Sequence, residues 1–478
     1  MKHTLKILPF LGAVVLCLSS IGGEMPGLSS TVMADTCMVG GPISTNTTWS
    51  TANCDTYVVY GNILVEPGVT LTIMPGVVVA FQEGYRLDVG GALTARGTAT
   101  DSIVFTGWNS DQDPQWWEWI KFRNSSIDTA CSLSYCRIEY GKEVVYCDTA
   151  SPTISHCLIR KCKHGIYCYA GSPYIVQNTI VDNHSSSNSS GIFIEGGSPV
   201  TFGNMIQQNN IYGIYVLPHG YTEPCTSLSI TADTIRNNKH HGIRLNGTYG
   251  HGVISGTIRS CDISGNSYGG VNVDLSGYGG NVRITNSHIH DNTATDGGGI
   301  YFEGGYAVID SNCIFDNSAT NSGNTAGGIY FESVDSARVH YNDIWGNSGP
   351  TKYAYEVYSG EPSSPDIHGE YNWWGTSDSV AISQLVYDYY DNVDLRKFVF
   401  APFATSSHPY CWIRGDANDD GDINSADIVY LINYLFKSGP DPMPWEAGDV
   451  NCDGAINSAD VVYLINYLFK GGPPPGCP

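Results

Sequence analysis

The feature that most constrains this chain is a short motif that returns along it at an uneven step. The segment Asn178-Thr179-Ile180-Val181-Asp182-Asn183 recurs, with changes, at 204–209, 233–238, 261–266, 287–292, 312–317 and 342–347. Its isoleucines are Ile138, Ile159, Ile180, Ile206, Ile235, Ile263, Ile289, Ile314 and Ile344, spaced 21 to 30 residues apart. Three positions on stand Asn183, Asn209, Asn238, Asn266, Asn292, Asn317 and Asn347. A second apolar element then opens on glycine, as in Gly191-Ile192, Gly242-Ile243 and Gly299-Ile300. A repeat of this length is one supersecondary unit that cannot bury its own apolar edge.

Inside each element the apolar residues alternate, which places Ile192 and Ile194 on one face and Phe193 and Glu195 on the other. A helical solenoid needs apolar residues at i, i+3, i+4 and i+7, and these segments do not have them. Coils stacked ~4.8 Å apart would turn the isoleucines into one continuous column. The recurrent Asn suits a turn that needs a left-handed residue, with its amide bonding the neighbouring coils. Glycine before the second element is expected to free the backbone for a sharp bend.

This pattern resembles the right-handed parallel β-helix family, over about residues 55 to 400. The stretch 65–106, with Pro67-Gly68-Val69 and Pro75-Gly76-Val77, looks like the opening coils of such proteins. Asn372-Trp373-Trp374-Gly375 is similar to a motif that closes them, and 379–390 has the apolar spacing of a short capping helix. The fold class expected is an all-β solenoid, a right-handed parallel β-helix, followed by a small all-α module.

That module begins after a Pro/Ser-rich linker at 401–410. Two near-identical halves lie 33 residues apart. Oxygen-bearing side chains fall at loop positions 1, 3, 5, 9 and 12: Asp416, Asn418, Asp420, Asn424 and Asp427, then Asp449, Asn451, Asp453, Asn457 and Asp460. Glycine stands at position 6, and Asp422 and Ala455 at position 7 would offer backbone carbonyls. This is the spacing of a twelve-residue Ca2+ loop. Position 12 is Asp where ordinary EF-hands have Glu, and neither loop has a leading helix. Duplication with those departures resembles the type I dockerin domain over 411–478. The resemblance implies two Ca2+ ions, calcium-dependent folding and a cohesin domain of a scaffold or surface protein as partner. It assigns the contacts to Ser425, Ala426, Ile432, Asn433 and Lys437, and to Ser458, Ala459, Ile465, Asn466 and Lys470. Halves so alike would let a partner bind in either of two orientations.

Lys2 and Lys6 followed by an apolar run to Leu18 read as a secretory signal, with residues 1–34 as leader and 35–400 as solenoid. No transmembrane anchor is expected, and the location expected is extracellular or on a bacterial cell surface. Fourteen of the fifteen cysteines then lie in an oxidising compartment. Cys136 and Cys157, and Cys147 and Cys168, are each 21 residues apart and so one coil apart. Disulfides between coils and stacked buried thiols both fit that spacing. Cys37 and Cys54 suit a tie across the N-terminal cap, and Cys477 has both Cys411 and Cys452 as candidate partners. The net charge of −23 excludes nucleic acid as a partner.

Chemistry is sought on the outward positions of the second element. Asp274, Glu303 and Glu332 fall on consecutive coils, with Arg244, Tyr301 and Tyr330 two positions before such sites. Carboxylates for acid–base work beside aromatic rings that stack on sugars suit a polysaccharide substrate. Insertions at 184–190, 293–298 and 318–327, and at 217–228 and 246–254, would wall a groove. The reactions expected are those of a polysaccharide lyase or O-glycosyl hydrolase, although no catalytic motif of either stands in the chain. The alternative is a non-catalytic surface or adhesion protein whose solenoid is a recognition rod.

Overall fold

The computed structural model describes residues 35–108, 116–184, 189–219, 225–248, 252–321, 325–349, 354–359, 365–408, 411, 414–418, 420, 422–442 and 445–475, and two short strands at 4–8 and 15–19. The candidate leader otherwise lies outside the described residues, as does Cys477. The chain divides into two units, Met1–Thr405 and Ser406–Pro478.

The first unit is a right-handed parallel β-solenoid with three strands per coil. One coil reads Tyr174–Val176, Thr179–Val181 and Ser190–Glu195, and each strand pairs in parallel with its equivalent on the next coil. The middle strands carry the repeat. Phe105, Ile138, Ile159, Ile180, Ile206 and Ile235 are Cα partners in succession, and the column runs on to Ile344. All are fully buried. Burying each such side chain contributes roughly 2–3 kcal/mol, which no single coil could collect.

The turn after the middle strand is held by an asparagine ladder. Asn183, Asn209, Asn238, Asn266, Asn292 and Asn317 each pass an Nδ2 hydrogen to the Oδ1 of the next, the last to Asn347, at 2.8–3.0 Å. Two expectations are corrected in detail here. The left-handed residue is the one before the asparagine: Asp182 (φ 55°), Gln208 (55°), Asn237 (55°), Asp291 (54°) and Asp316 (51°). The inward amide must saturate buried backbone groups, so the outward neighbour takes the positive φ, at about 1 kcal/mol each. The glycines before the third strand are also not there to bend. A Cβ on Gly191 would stand 2.7 Å from Ile206 Cγ2, 2.8 Å from the Gly213 carbonyl oxygen and 2.9 Å from Asn209 Nδ2. Close approach of coil to coil is what selects glycine.

A second ladder before the middle strand runs through Asn178 and Asn204 to Asp233, and resumes as Asn312, Asn342 and Asn372. Asn372, of the Asn-Trp-Trp-Gly motif, is its last rung and donates to Val339 O at 2.6 Å. Trp374 is buried edge-on against Phe398. The capping helix is shorter than expected. Helix α1, Ser379–Ser383, is capped by Asp378, and the chain then rejoins the third-strand column at Val386–Tyr387. At the other end Cys37 and Cys54 form a disulfide. Cys136, Cys157, Cys147 and Cys168 are buried free thiols. Cys147 and Cys168 are register partners whose side chains leave adjacent strands in the same direction, a poor geometry for a bridge.

In the second unit, helices α2 (Ser425–Lys437) and α4 (Ser458–Lys470) flank the short α3 (Trp445–Gly448). Each long helix opens with a capping box, Asn424 with Asp427 and Asn457 with Asp460. Ile428, Leu431, Val461 and Leu464 supply their common core.

Candidate functional site

The third strands present two outward columns. Nearer their start, Tyr146, Tyr167, Phe193, Tyr215, Arg244, Asn272, Tyr301, Tyr330, Tyr358 and Tyr387 are successive register partners. Two positions on, Asp148, Tyr169, Glu195, Leu217 stand in register, and Asn246, Asp274, Glu303 and Glu332 continue the line. The expected succession of Asp274, Glu303 and Glu332 on three coils is therefore what the pairing gives.

The aromatic column is a stack of rings with centroids 4.4–5.7 Å apart and planes within 28° of parallel. Tyr330 thus spends both faces, on Tyr301 and Tyr358, and Tyr301 spends one. What the column offers outward is ring edges and phenol hydroxyls, not the sugar-stacking faces that the sequence suggested. One coil per 4.8 Å leaves no room for a second ring between them.

The stack is interrupted at Arg244 and Asn272, and polar contacts gather there. Arg244 donates through Nη1 to Asn272 Oδ1 at 2.5 Å, and its Nη2 lies 3.6 Å from Asp274 Oδ2. Ser276 Oγ donates to Asp274 Oδ1 at 2.8 Å, and Asn246 Nδ2 donates to Tyr215 Oη at 3.2 Å. On the next coils the Tyr301 hydroxyl is shared between Glu303 Oε2, at 3.1 Å, and Glu332 Oε2. Burial, then the neighbouring charge of Asp274, pushes the Glu303 carboxyl above its ordinary range. Burial and the bond to Glu332 keep the Tyr301 phenol protonated. Arg244, Asp274, Tyr301, Glu303 and Glu332 form one connected patch, while Tyr330 joins it only through its stack on Tyr301, 5.6 Å between centroids.

A second polar chain lies three coils away. Tyr169 Oη meets His219 Nε2 at 2.8 Å, His219 Nδ1 meets Glu195 Oε1 at 2.9 Å, and Tyr167 Oη donates to Glu195 Oε2 at 2.5 Å. The site residues chosen from sequence omit His219, Tyr169 and Tyr167. His219 sits in the insertion at 217–228, which was the available signal. Of the expected groove walls, Thr293–Ala294 pairs with Ser318–Ala319 as a small ribbon; 185–188, 220–224, 249–251 and 322–324 lie outside the described residues.

In the second unit Asp416, Asp427, Asp449 and Asp460 are buried, at most 5 % exposed. Burial pushes the Asp427 carboxyl upward. These oxygens hold their own loops, as where Asp420 N donates to Asp416 Oδ1 at 3.0 Å and Asn424 N to Asp427 Oδ2 at 2.7 Å. The second loop repeats this with Asp453 N on Asp449 Oδ1 at 3.1 Å and Asn457 N on Asp460 Oδ2 at 2.8 Å. Among the described residues no three His, Cys, Asp or Glu side chains are already drawn into a metal cage. Buried carboxylates set among amides and carbonyls, with one guanidinium (Arg414, 3.7 Å from Asp449) between two loops, are nonetheless a donor set that suits a hard cation.

Ser425, Ala426, Ser458 and Ala459 are exposed at the helix starts, and Lys437 and Lys470 at the ends. Ile432, Asn433, Ile465 and Asn466 are half-buried. Between them Val429 and Phe436, and equally Val462 and Phe469, are more than half exposed. Seven residues apart, each pair shares one helix face, an apolar strip in duplicate that sequence reading missed. No described helix is long and apolar enough to cross a membrane.

The family description "Dockerin type I domain" matches residues 414–469, "Right handed beta helix region" matches 221–371, and "Periplasmic copper-binding protein (NosD)" matches 118–286. No curated protein matches the chain. Among solved structures the chain is similar to a double mutant of the periplasmic alginate epimerase AlgG, at 12% identity over 71% of this chain and 85% of that one, TM-score 0.48. It is also similar to the A-module of the mannuronan C-5 epimerase AlgE6 of Azotobacter vinelandii (13%, 71% and 91%, 0.36) and to pectate lyase Pel9A (13%, 72% and 71%, 0.27).

Proposed function

We propose that this chain, a right-handed parallel β-helix followed by a type I dockerin domain, is an extracellular carbohydrate-active protein. In this reading its solenoid flank binds and cleaves polysaccharide, and its dockerin delivers it to a cohesin-bearing scaffold or surface. The observation that carries the reading is the connected patch of Arg244, Asp274, Tyr301, Glu303 and Glu332 at the break in the tyrosine stack. A polymer laid along the axis would meet one coil about every 4.8 Å, near the length of one sugar. Phenol hydroxyls and carboxylates are the partners that sugar hydroxyls need.

Two carboxylates about 5 Å apart are the spacing of a retaining glycosidase. Asp274 and Glu303, on adjacent coils, fit the two roles. Asp274, held by Arg244 and Ser276, attacks the anomeric carbon as the glycosidic bond breaks. Glu303, whose proton affinity burial raises, gives its proton to the leaving oxygen. In the second step Glu303 takes a proton from water, and that water oxygen displaces Asp274 from the sugar. Tyr301 positions Glu303, and Glu332 positions Tyr301.

In the dockerin, Asp416, Asn418, Asp420, Asn424 and Asp427 with the Asp422 carbonyl would hold one Ca2+. Asp449, Asn451, Asp453, Asn457 and Asp460 with the Ala455 carbonyl would hold a second. Bound Ca2+ would supply the positive charge that these loop carboxylates lack, and the loops would then fix the helix starts that bear Ser425, Ala426, Ser458 and Ala459. Asp427 and Asp460 link the two events, because each caps its helix and faces its loop.

The test is a binding and reducing-end screen of the full chain, in Ca2+, against soluble plant and microbial glycans, with Asp274→Asn and Glu303→Gln beside it. Binding with turnover that both variants lose supports the reading. Binding with no turnover would reduce the solenoid to a recognition rod, and no binding at all would remove the glycan.

A further inference from the structure

The charge of the flank is unbalanced in a way that bears on what the polymer is. Among the described residues the outward columns of the third strands carry Asp148, Glu195, Asp274, Glu303 and Glu332. The cations between them are Lys121, one strand below Tyr146, and Arg244. Both are already committed: Lys121 Nζ lies 2.8 Å from Asp148 Oδ2, and Arg244 Nη2 lies 3.6 Å from Asp274 Oδ2. Lys142 and Lys163, at the strand starts, lie 3.3 Å from Glu118 and 3.7 Å from Glu143, while Lys239 in the equivalent turn bonds the neutral Asn210 Oδ1 at 2.8 Å. Glu303 and Glu332 meet the Tyr301 hydroxyl instead of a cation.

From this we infer that the glycan is uncharged, and that the reaction is hydrolysis of a neutral polysaccharide and not elimination from a uronate chain. The inference rests on the proposed function and narrows it. A polyuronate aligned with the coils would set one carboxylate against each acidic side chain, and among the described residues of this flank Lys239 is the ammonium not already held by a carboxylate. Abstraction of the proton next to a uronate carboxylate also needs that carboxylate neutralised first. A neutral chain meets neither obstacle, since its hydroxyls donate to Glu303, Glu332 and Glu195 and accept from tyrosine. Cation–π contact uses Lys121 again, 4.2 Å from the Tyr146 ring, which ties it further to the protein.

The test compares a soluble β-glucan and a galactomannan with polygalacturonate and alginate of matched length. The full chain is titrated with each at 0.1 and 10 mM Ca2+ and at two ionic strengths. The expected result is binding of a neutral glycan with either polyuronate roughly tenfold or more weaker, the gap narrowing at high salt. The variant carrying Glu195→Gln, Glu303→Gln and Glu332→Gln should gain polyuronate binding. A polyuronate that binds as tightly as the neutral glycans, or one recruited by raising Ca2+, would overturn the inference while leaving the proposed function standing. Failure of all four polymers would strike the proposed function itself, and this inference with it. The comparison on the unaltered protein decides the matter even where the triple variant fails to fold.

Discussion

Replacing Asp233 by asparagine should stabilise the solenoid at neutral pH. Asp233 is fully buried in a ladder position that Asn178, Asn204, Asn312, Asn342 and Asn372 fill elsewhere. It accepts from Asn204 N at 2.7 Å, from Asn204 Nδ2 at 2.8 Å and from the Thr201 hydroxyl at 2.5 Å. Burial outweighs these bonds and raises its carboxyl to about 6. An acid whose folded value lies above its unfolded one stabilises below the lower value and loses that contribution as pH rises through the upper one. The loss here runs from about pH 4 to pH 6, and the two-unit gap corresponds to about 3 kcal/mol above pH 6. Asparagine keeps the acceptor for Asn204 and carries no charge, but it disturbs the Thr201 hydroxyl at about 1 kcal/mol. The net gain expected is about 1–2 kcal/mol at pH 7.5, and none at pH 4. Denaturant midpoints of the two full-length proteins at pH 4, 5.5 and 7.5, followed by circular dichroism, measure it. A constant offset across that range, or a less stable variant at pH 7.5, would refute the reasoning.

Four further outcomes are expected. His290 is buried with Nδ1 2.7 Å from Asp291 and Nε2 3.1 Å from Asp262; burial alone would lower its pKa, but the two carboxylates hold it at about 10. Its contribution is complete below pH 6.5 and is lost as pH rises through 10, so His290→Gln should flatten the alkaline fall in melting temperature. With Asp291 59 % exposed, the effect at pH 7 is about 1–3 kcal/mol after screening, below the ceiling of about 5 that the shift alone implies. The buried thiols Cys136, Cys147, Cys157, Cys162 and Cys168 should resist a thiol reagent until the chain is unfolded, burial having pushed Cys162 up to about 12; fast labelling of any of them in the native protein contradicts this. Phe436→Ala or Phe469→Ala alone should weaken type I cohesin binding by roughly threefold or less, and the double change by about a hundredfold or more, by calorimetric titration. A chelator should abolish the helical signal of the C-terminal module while the β signal of the solenoid persists.

The inside of the solenoid was legible because stacking converts sequence period directly into register. Every isoleucine that recurs in the motif lies in one column, and every asparagine three places on lies in one ladder. What alternation could not supply was the reason behind individual residues. Asn183 and Asp182 are neighbours, and only the hydrogen bonds show that the inward one saturates amides while the outward one takes the positive φ. Gly191 reads as a hinge from composition, yet the Ile206 methyl and the Gly213 carbonyl are what exclude a side chain. Tyr301 and Tyr330 were placed on the right face with the wrong presentation, since a 4.8 Å repeat leaves stacked rings only their edges to offer. Exposed Phe436 and Phe469 escaped because an apolar residue on a short amphipathic helix reads as core until its neighbours are known.

The uneven step of the repeat holds the more general lesson. The coil cannot lengthen at the middle strand, where Ile206 and Asn209 must meet Ile235 and Asn238 in register. It lengthens only between the second and third strands and after the third, at 184–190, 293–298, 318–327, 217–228 and 246–254. Those turns border the third strand, whose outward positions vary without disturbing the interior. Variation there is of two kinds. Tyrosine following tyrosine continues the stack and adds to stability, whereas Arg244 and Asn272 break it, forfeiting the ring contacts that Tyr215 and Tyr301 would otherwise make. A repeat protein gives up such contacts at a cost to every coil nearby, so a polar break in an apolar ladder, bordered by the turns at 217–228 and 246–254, is where chemistry should be sought. Restoring the ladder tests that logic: Arg244→Tyr with Asn272→Tyr should raise the melting temperature and abolish glycan turnover together. A restored stack that stays fully active would separate the break from the function.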